Sequence, residues 1–340
     1  MPSSFLSVLM PVYNAAETLP AALESLASQT IERFEIVAVD DGSDDGSGEI
    51  LRRWAAKDPR LRIVSIPHRG LIDALNAGLE ACKGTFVARM DADDLAHPRR
   101  LEKQAALLEN APDVSVVGCL VETFPRNAVK EGFRVYEEWL NSLVSHEEIA
   151  REIFVESPIA HPSALMRRAE LLEIGGYQDR GWPEDYDLWL RYFTAGRRFA
   201  KVAEKLLRWR EHPFRLTHTD RRYSVENFLR AKAHYLVRGP LRERDGLIVW
   251  GAGKTGRRLS KHLIRQGRPP DFFVDIDPRK IGGGLRGVPI AGAEALPGLW
   301  KRWRRPLLLA AVASRGARTQ IRKRAAEMGL VEGEDFLCVA

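Results

Sequence analysis

The chain has 340 residues, 45% of them hydrophobic and 29% charged, with a formal net charge of +6, a composition that suits two globular domains with their own cores. A mean hydropathy of -0.26 and the lack of an apolar run of spanning length exclude a bundle of transmembrane helices. Three scattered cysteines, Cys82, Cys119 and Cys338, fit neither a zinc spacing nor a disulfide framework, so a reducing cytoplasm is expected.

The opening stretch is uncharged ahead of its apolar run and reads as the approach to a strand, not as a signal peptide. Leu6–Val12 predicts that strand, and Leu19, Leu23 and Leu26 recur at helical spacing over 17–28. A continuous apolar strand over 34–39 ends in Asp40-Asp41-Gly42-Ser43, as suits a strand covered on both faces. A helix over 47–57, a strand at Leu61–Ile66, a helix over 71–82 and a strand over 85–90 follow, the last running into Asp91-Ala92-Asp93-Asp94. A helix over 98–109 and a strand over 114–117 complete a βαβ series that predicts a doubly wound, mostly parallel α/β sheet.

From 120 to 160 the pattern blurs, and an irregular insertion with one helix near 135–143 is expected. A strand over 161–166, short helices over 169–174 and 185–194, and one or two short strands within 197–210 come next. A helix over 223–237 stops at Gly239-Pro240, a domain boundary by its turn chemistry. The expected division is therefore 1–220, a linker helix over 221–240, and a smaller α/β domain over 241–340. Charge follows the same division. Residues 241–340 carry 20 Lys and Arg against 10 Asp and Glu, and residues 1–240 carry 32 against 36. A basic C-terminal part either faces an anionic partner or is a solvated surface.

In an open parallel sheet, ligands bind outside the carboxyl ends of the strands. Pro11 to Asn14, Asp40-Asp41, His68-Arg69-Gly70 and Asp91 to Asp93 all follow strands and converge on one edge. Asp91 and Asp93 suit Mg²⁺ or Mn²⁺, which takes one or two carboxylates and completes its sphere with phosphate oxygens and water. Taken alone, the tripeptide reads as an acidic turn after a strand.

The ordered set Ser7 to Asn14, Val39 to Ser43, Arg69 to Gly78, Ala88 to Asp94, His161-Pro162-Ser163, Gly175-Gly176-Tyr177 and Glu184 to Trp189 resembles the family 2 glycosyltransferases of the GT-A fold. The resemblance covers about the first 220 residues. It implies a metal-dependent, inverting transfer of a sugar from a nucleotide-diphosphate sugar, UDP- or TDP-linked, to a glycan or lipid-linked acceptor hydroxyl in cell-surface polysaccharide synthesis. It further implies that Pro11, Tyr13, Asp41, Arg69 and Asp91 bind the donor and that Asp93 and Asp91 hold the metal. His212, in an Arg-x-His segment, is a third metal ligand, a phosphate contact or a structural surface histidine. Asp185 becomes the catalytic base. The bland reading of Glu184-Asp185 is the acid-rich start of a helix. His161 either shapes the acceptor side or holds the fold, and Asn76 caps or packs.

Gly251-Ala252-Gly253-Lys254-Thr255-Gly256 follows a strand and opens a helix, the context of a nucleotide or dinucleotide fingerprint, with Asp275 or Asp277 roughly 20 residues on as a ribose partner. The segment resembles Rossmann-like domains, and ligand binding and a structural or docking role both stay open. Trp300, Trp303 and the basic residues between and beside them either touch a membrane surface, which would make the protein peripheral at its inner face, or pack inward. No nucleic acid is expected as partner. Two other functions stay open. A sugar nucleotidyltransferase usually starts with a glycine-rich phosphate loop, and residues 10–19 hold no glycine. A non-catalytic nucleotide sensor would have no use for Asp185.

Overall fold

The computed structural model describes residues 4–340. Contact density divides it into two compact units, one made of the chain through Ile149 with Pro158–Arg180 and Ala195–Thr219, the other of Ala150–Ser157, Gly181–Thr194 and Asp220–Ala340.

In the first unit, strands β1 (Leu6–Val12), β2 (Phe34–Asp41), β3 (Leu61–Ile66), β4 (Phe86–Arg89), β5 (Leu95–Ala96), β6 (Val114–Phe124), β7 (Leu165–Arg167) and β8 (Arg198–Arg210) form one eight-stranded sheet in the order β3-β2-β1-β4-β7-β6-β8-β5. The pairs β1–β2, β2–β3, β1–β4 and β6–β8 are parallel. β7 runs antiparallel to both β4 and β6, so β6 and β8 point the same way as β1 to β4. The sheet is mostly parallel, as expected, with β7 and the short β5 reversed. Val8, Leu9 and Met10 are fully buried, consistent with a central strand covered on both faces by helices.

The elements after β4 differ from expectation. β6 continues to Phe124, and the region beyond it holds two helices, Glu131–Asn141 and His146–Glu152. His161–Ser163 is a 3₁₀ turn, because Pro162 removes a backbone donor there, and the strand shortens to β7. The segment 197–210 is one thirteen-residue strand, β8, paired along its length with β6.

In the second unit, β9 (Gly246–Trp250), β10 (Phe272–Asp275), β11 (Gly284–Leu285), β12 (Val288–Gly292), β13 (Pro306–Ala310) and β14 (Phe336–Cys338) form a sheet in the order β11-β12-β10-β9-β13-β14. All its pairs are parallel except β11–β12. The helices Glu184–Thr194 and Val225–Arg238 belong to this unit. Glu226 ties the latter to the Lys254–Arg265 helix through Lys261 and His262. Trp303 packs inward over Gly246, whose absent Cβ would meet its ring, and edge-on to Phe272. Among the described residues no helix is long and apolar enough to cross a membrane.

Candidate active site

The shared direction of β1, β2, β4 and β8 sets the site of the first unit. Tyr13 lies just past β1 and is half exposed, at 49%. Pro11 sits in β1 opposite Val39. Asp41 ends β2 and is buried. Its Oδ1 accepts the Arg69 N–H at 2.8 Å and its Oδ2 the Gly70 N–H at 2.9 Å. The Asp41 carboxylate thus shapes the loop after β3, while the Arg69 and Asp73 side chains are exposed.

β4 delivers the acidic cluster. Asp91 pairs with the buried Arg89. The fully buried Arg100 donates from Nη2 to the Arg89 carbonyl at 2.7 Å and fixes the end of the strand from below. Asp91, Asp93 and Asp94 each offer a carboxylate oxygen, and these oxygens lie within 4.8 Å of one another. Burial pushes the Asp91 carboxyl above its ordinary value; Arg89 pulls against this and Asp93 adds to it. Burial, with Asp93 and Asp91 beside it, pushes Asp94 well up. Asp94 Oδ1 accepts the Arg210 N–H at 2.7 Å, and Asp94 Oδ2 is buried without a hydrogen-bond partner.

β8 then brings its own end to the same place. Arg210 Nε donates to the Asp93 carbonyl at 2.7 Å, and His212 Nε2 lies 2.9 Å from Asp93 Oδ2. Glu211 holds the following turn through Arg215 and His218. Crowded carboxylates, an orphaned buried oxygen and an imidazole at the rim form a donor set of the kind a hard divalent cation takes. A cation there would be held by Asp91, Asp93 and Asp94, with His212 beside Asp93.

Of the expected residues, Asp91, Asp93 and His212 therefore meet, and Tyr13 and Asp41 meet through His68, whose ring stacks on Tyr13. Sequence reasoning placed His68 on this edge without giving it a role, and it missed Asp94 and Arg100 as site residues. Asp94 was in plain view as the third acid of one run. Arg100 carries no motif. His161 is buried against Tyr177, with Nε2 at 3.1 Å from the phenol oxygen. Burial, with Arg89 nearby, drives its pKa well below the ordinary range, so it is neutral. Asn76 bonds both backbone groups of the same Tyr177.

Residues 7–175 match the family described as Glycosyl transferase family 2. The amylovoran biosynthesis glycosyltransferase AmsE of Erwinia amylovora is 35% identical over 208 residues, covering 60% of this chain and 75% of that protein. The chain belongs to glycosyltransferase family 2. The O-antigen biosynthesis glycosyltransferase WbnJ of Escherichia coli is 30% identical over 213 residues, covering 61% of this chain and 80% of WbnJ. Among solved structures, S. aureus TarS 1-349 in complex with UDP-GlcNAc has a TM-score of 0.57 at 19% identity, covering 77% of this chain and 72% of that one. The mannosyltransferase PcManGT from Pyrobaculum calidifontis, in complex with GDP-Man and Mn²⁺, has a TM-score of 0.53 at 22% identity, covering 77% and 69%. These likenesses establish the GT-A fold of this glycosyltransferase.

The second unit carries the remaining expected residues. Asp185 lies in the first turn of the Glu184–Thr194 helix and its Oδ1 accepts the Tyr186 N–H. Two phenols pin that turn. Tyr223 donates to Glu184 at 2.7 Å, and Tyr235 donates to Asp187 at 2.6 Å, where Trp182 Nε1 and Arg191 Nε also donate. Burial and the Glu184 and Asp185 charges hold the Tyr223 phenol well above its ordinary value, so it stays a donor. In the glycine turn after β9, a Cβ on Gly256 would come within 1.8 Å of the Gly251 carbonyl oxygen, so only glycine lets the helix start that close to the strand. A Cβ on Gly253 would meet nothing within 4 Å. Asp275 Oδ2 accepts the Ala252 N–H at 2.8 Å and pairs with Lys280, which fastens it to the turn.

Proposed function

We propose that this family 2 glycosyltransferase is an inverting, divalent-metal-assisted enzyme. It moves a sugar from a uridine or thymidine diphosphate sugar to an acceptor hydroxyl in the assembly of a cell-surface polysaccharide. The observation that carries the reading is the meeting of Asp91, Asp93 and Asp94 with His212 at the edge where Tyr13 and Asp41 also lie. TarS and PcManGT, with their nucleotide-sugar ligands, and the polysaccharide names of AmsE and WbnJ support it.

In this reading Tyr13 stacks on the base, Asp41 accepts its imide N–H, Pro11 and Arg69 line the pocket, and Asp91 orients the ribose end. The bond from the acceptor oxygen to the anomeric carbon forms as the bond from that carbon to the diphosphate breaks. Asp185 takes the acceptor proton, and the nucleoside diphosphate departs with the electron pair. A divalent cation, when bound, supplies neutralising charge to that leaving group. The enzyme works in the cytoplasm, where Cys82, Cys119 and Cys338 stay reduced, at the inner membrane face if its acceptor is lipid-linked. The turn from Gly251 to Gly256 takes the phosphate of a nucleotide whose ribose lies toward Asp275.

A panel of UDP-, TDP- and GDP-sugars with Mn²⁺ tests the main claim. Metal-dependent binding and slow hydrolysis of UDP- or TDP-sugars is expected. Binding that ignores the metal, or a clear preference for GDP-sugars, overturns it.

A further inference from the structure

The His68 imidazole lies parallel to the Tyr13 ring, with centroids 3.9 Å apart and planes 16° from parallel. Its Nδ1 is 2.9 Å from Asp41 Oδ2. The other donors to that carboxylate are the backbone N–H groups of Arg69 and Gly70. These cannot leave without unfolding the loop. The His68 side chain, 51% exposed, can swing away about its own torsions.

A flat ring that stacks on Tyr13 and gives an in-plane N–H to Asp41 does what a uracil or thymine base would do there through its N3–H. In the tautomer protonated at Nδ1, the imidazole makes both contacts at once. Ring and base cannot share one face of Tyr13 and one site on Asp41 Oδ2.

We propose that His68 is a built-in occupant of the nucleobase slot, displaced by the donor's base, so that nucleotide affinity is set by the difference between base and imidazole. This rests on the reading that Tyr13 and Asp41 receive the base. The slot-filled state holds Tyr13 and the carboxylate in position while no donor is bound, and it lowers apparent affinity by the fraction of time the slot is closed.

UDP binding with Mn²⁺ present is measured by calorimetry on wild type, His68→Ala and Tyr13→Ala, each checked for native circular dichroism and Tm. His68→Ala is expected to bind UDP about threefold to tenfold more tightly, the low end of one ring stack and one hydrogen bond no longer displaced, since the imidazole is half exposed. Tyr13→Ala is expected to bind more weakly. In the wild type, the His68 Cε1–H signal is expected to move when UDP is added, as the ring leaves the face of Tyr13. If His68→Ala binds UDP no better than wild type, or the His68 signal stays in place at saturating UDP, displacement is overturned and the base site stands. If Tyr13→Ala binds UDP like wild type, the base-site reading itself fails and takes the proposal with it.

Discussion

His212 Nε2 and Asp93 Oδ2 are 2.9 Å apart although 119 positions separate the two residues in the chain. β8 makes the meeting possible. It runs parallel to β6 and ends at Arg210, whose backbone and guanidinium bond Asp94 and Asp93. Removal of Asp93 and removal of His212 should therefore differ in degree. Asp93→Ala is expected to abolish the Mn²⁺ dependence of UDP binding. His212→Ala should weaken Mn²⁺ about tenfold to a hundredfold, as loss of a group that orients a ligand does. Calorimetry at fixed UDP and varied Mn²⁺ reads both. Unchanged metal dependence in Asp93→Ala would remove the cation from this site.

The donor edge was legible up to β4 because β1 to β4 are apolar runs closed by polar turns, and parallel order alone sends their ends to one side. His212 was legible only as a motif neighbour. β8 reads as fragments because its lysines, arginines and Glu204 interrupt the apolar pattern where its outer side faces only the two-residue β5. β6 was cut short for the same reason: Cys119 to Phe124 alternates instead of running apolar. The Glu184–Thr194 helix was legible from Glu184-Asp185, whereas its grouping with the C-terminal sheet comes from packing by residues far along the chain.

Asp185→Asn should leave UDP binding nearly intact and lower kcat by about a hundredfold or more, the usual weight of a lost general base. Tyr223→Phe removes the hydroxyl from Glu184, one residue away. It should lower kcat by a smaller factor with donor KM unchanged. A fall in donor affinity of the same size as the fall in kcat would show that Tyr223 acts on the fold at large and not on the base.

Lys201 is buried, and its Nζ donates to the Leu140 carbonyl at 2.6 Å. Burial lowers its pKa from 10.5 to about 7, with Cys119 and Glu148 pulling the other way. The folded value lies below the unfolded one, so between these limits the unfolded chain binds more protons. Stability from this group then rises with pH across the window, by about 1.4 kcal/mol per pH unit. Urea denaturation at pH 7.5 and 9 should show wild type gaining on Lys201→Met. Parallel behaviour of the two proteins would show that Lys201 titrates normally.

The glycine turn after β9 separates two roles within three residues. Gly256→Ala puts a Cβ against the Gly251 carbonyl and should destabilise the chain by about 1–3 kcal/mol, as overpacking does. Gly253→Val projects into open space and should keep the wild-type Tm. If the turn holds a nucleotide phosphate at the helix start, wild type should show a thermal shift with NAD, NADP, UDP or coenzyme A that Gly253→Val lacks. No shift with any of them in the wild type would assign the turn to structure alone.

Removal of residues 241–340 tests what the second unit does for Asp185. Glu152 is 3% exposed and pairs with Arg318 and Arg322. Lys232, buried, donates to the Val155 and Val339 carbonyls, and Glu226 pairs with Lys261 and His262. Truncation after Pro240 deletes a partner in each case and takes Arg318 and Arg322 from the buried Glu152, an unfavourable change. The proposed donor residues Tyr13, Asp41 and Asp91 and the proposed cation site of Asp93, Asp94 and His212 all belong to the first unit. The truncated chain is therefore expected to bind UDP with Mn²⁺ at close to full-length affinity, to lose transfer to the acceptor, and to be cut by protease within 150–157 and 181–194. Retention of transfer by 1–240 would show that the Glu184–Thr194 helix stands without the C-terminal sheet. Loss of UDP binding would show that the first unit depends on it as well.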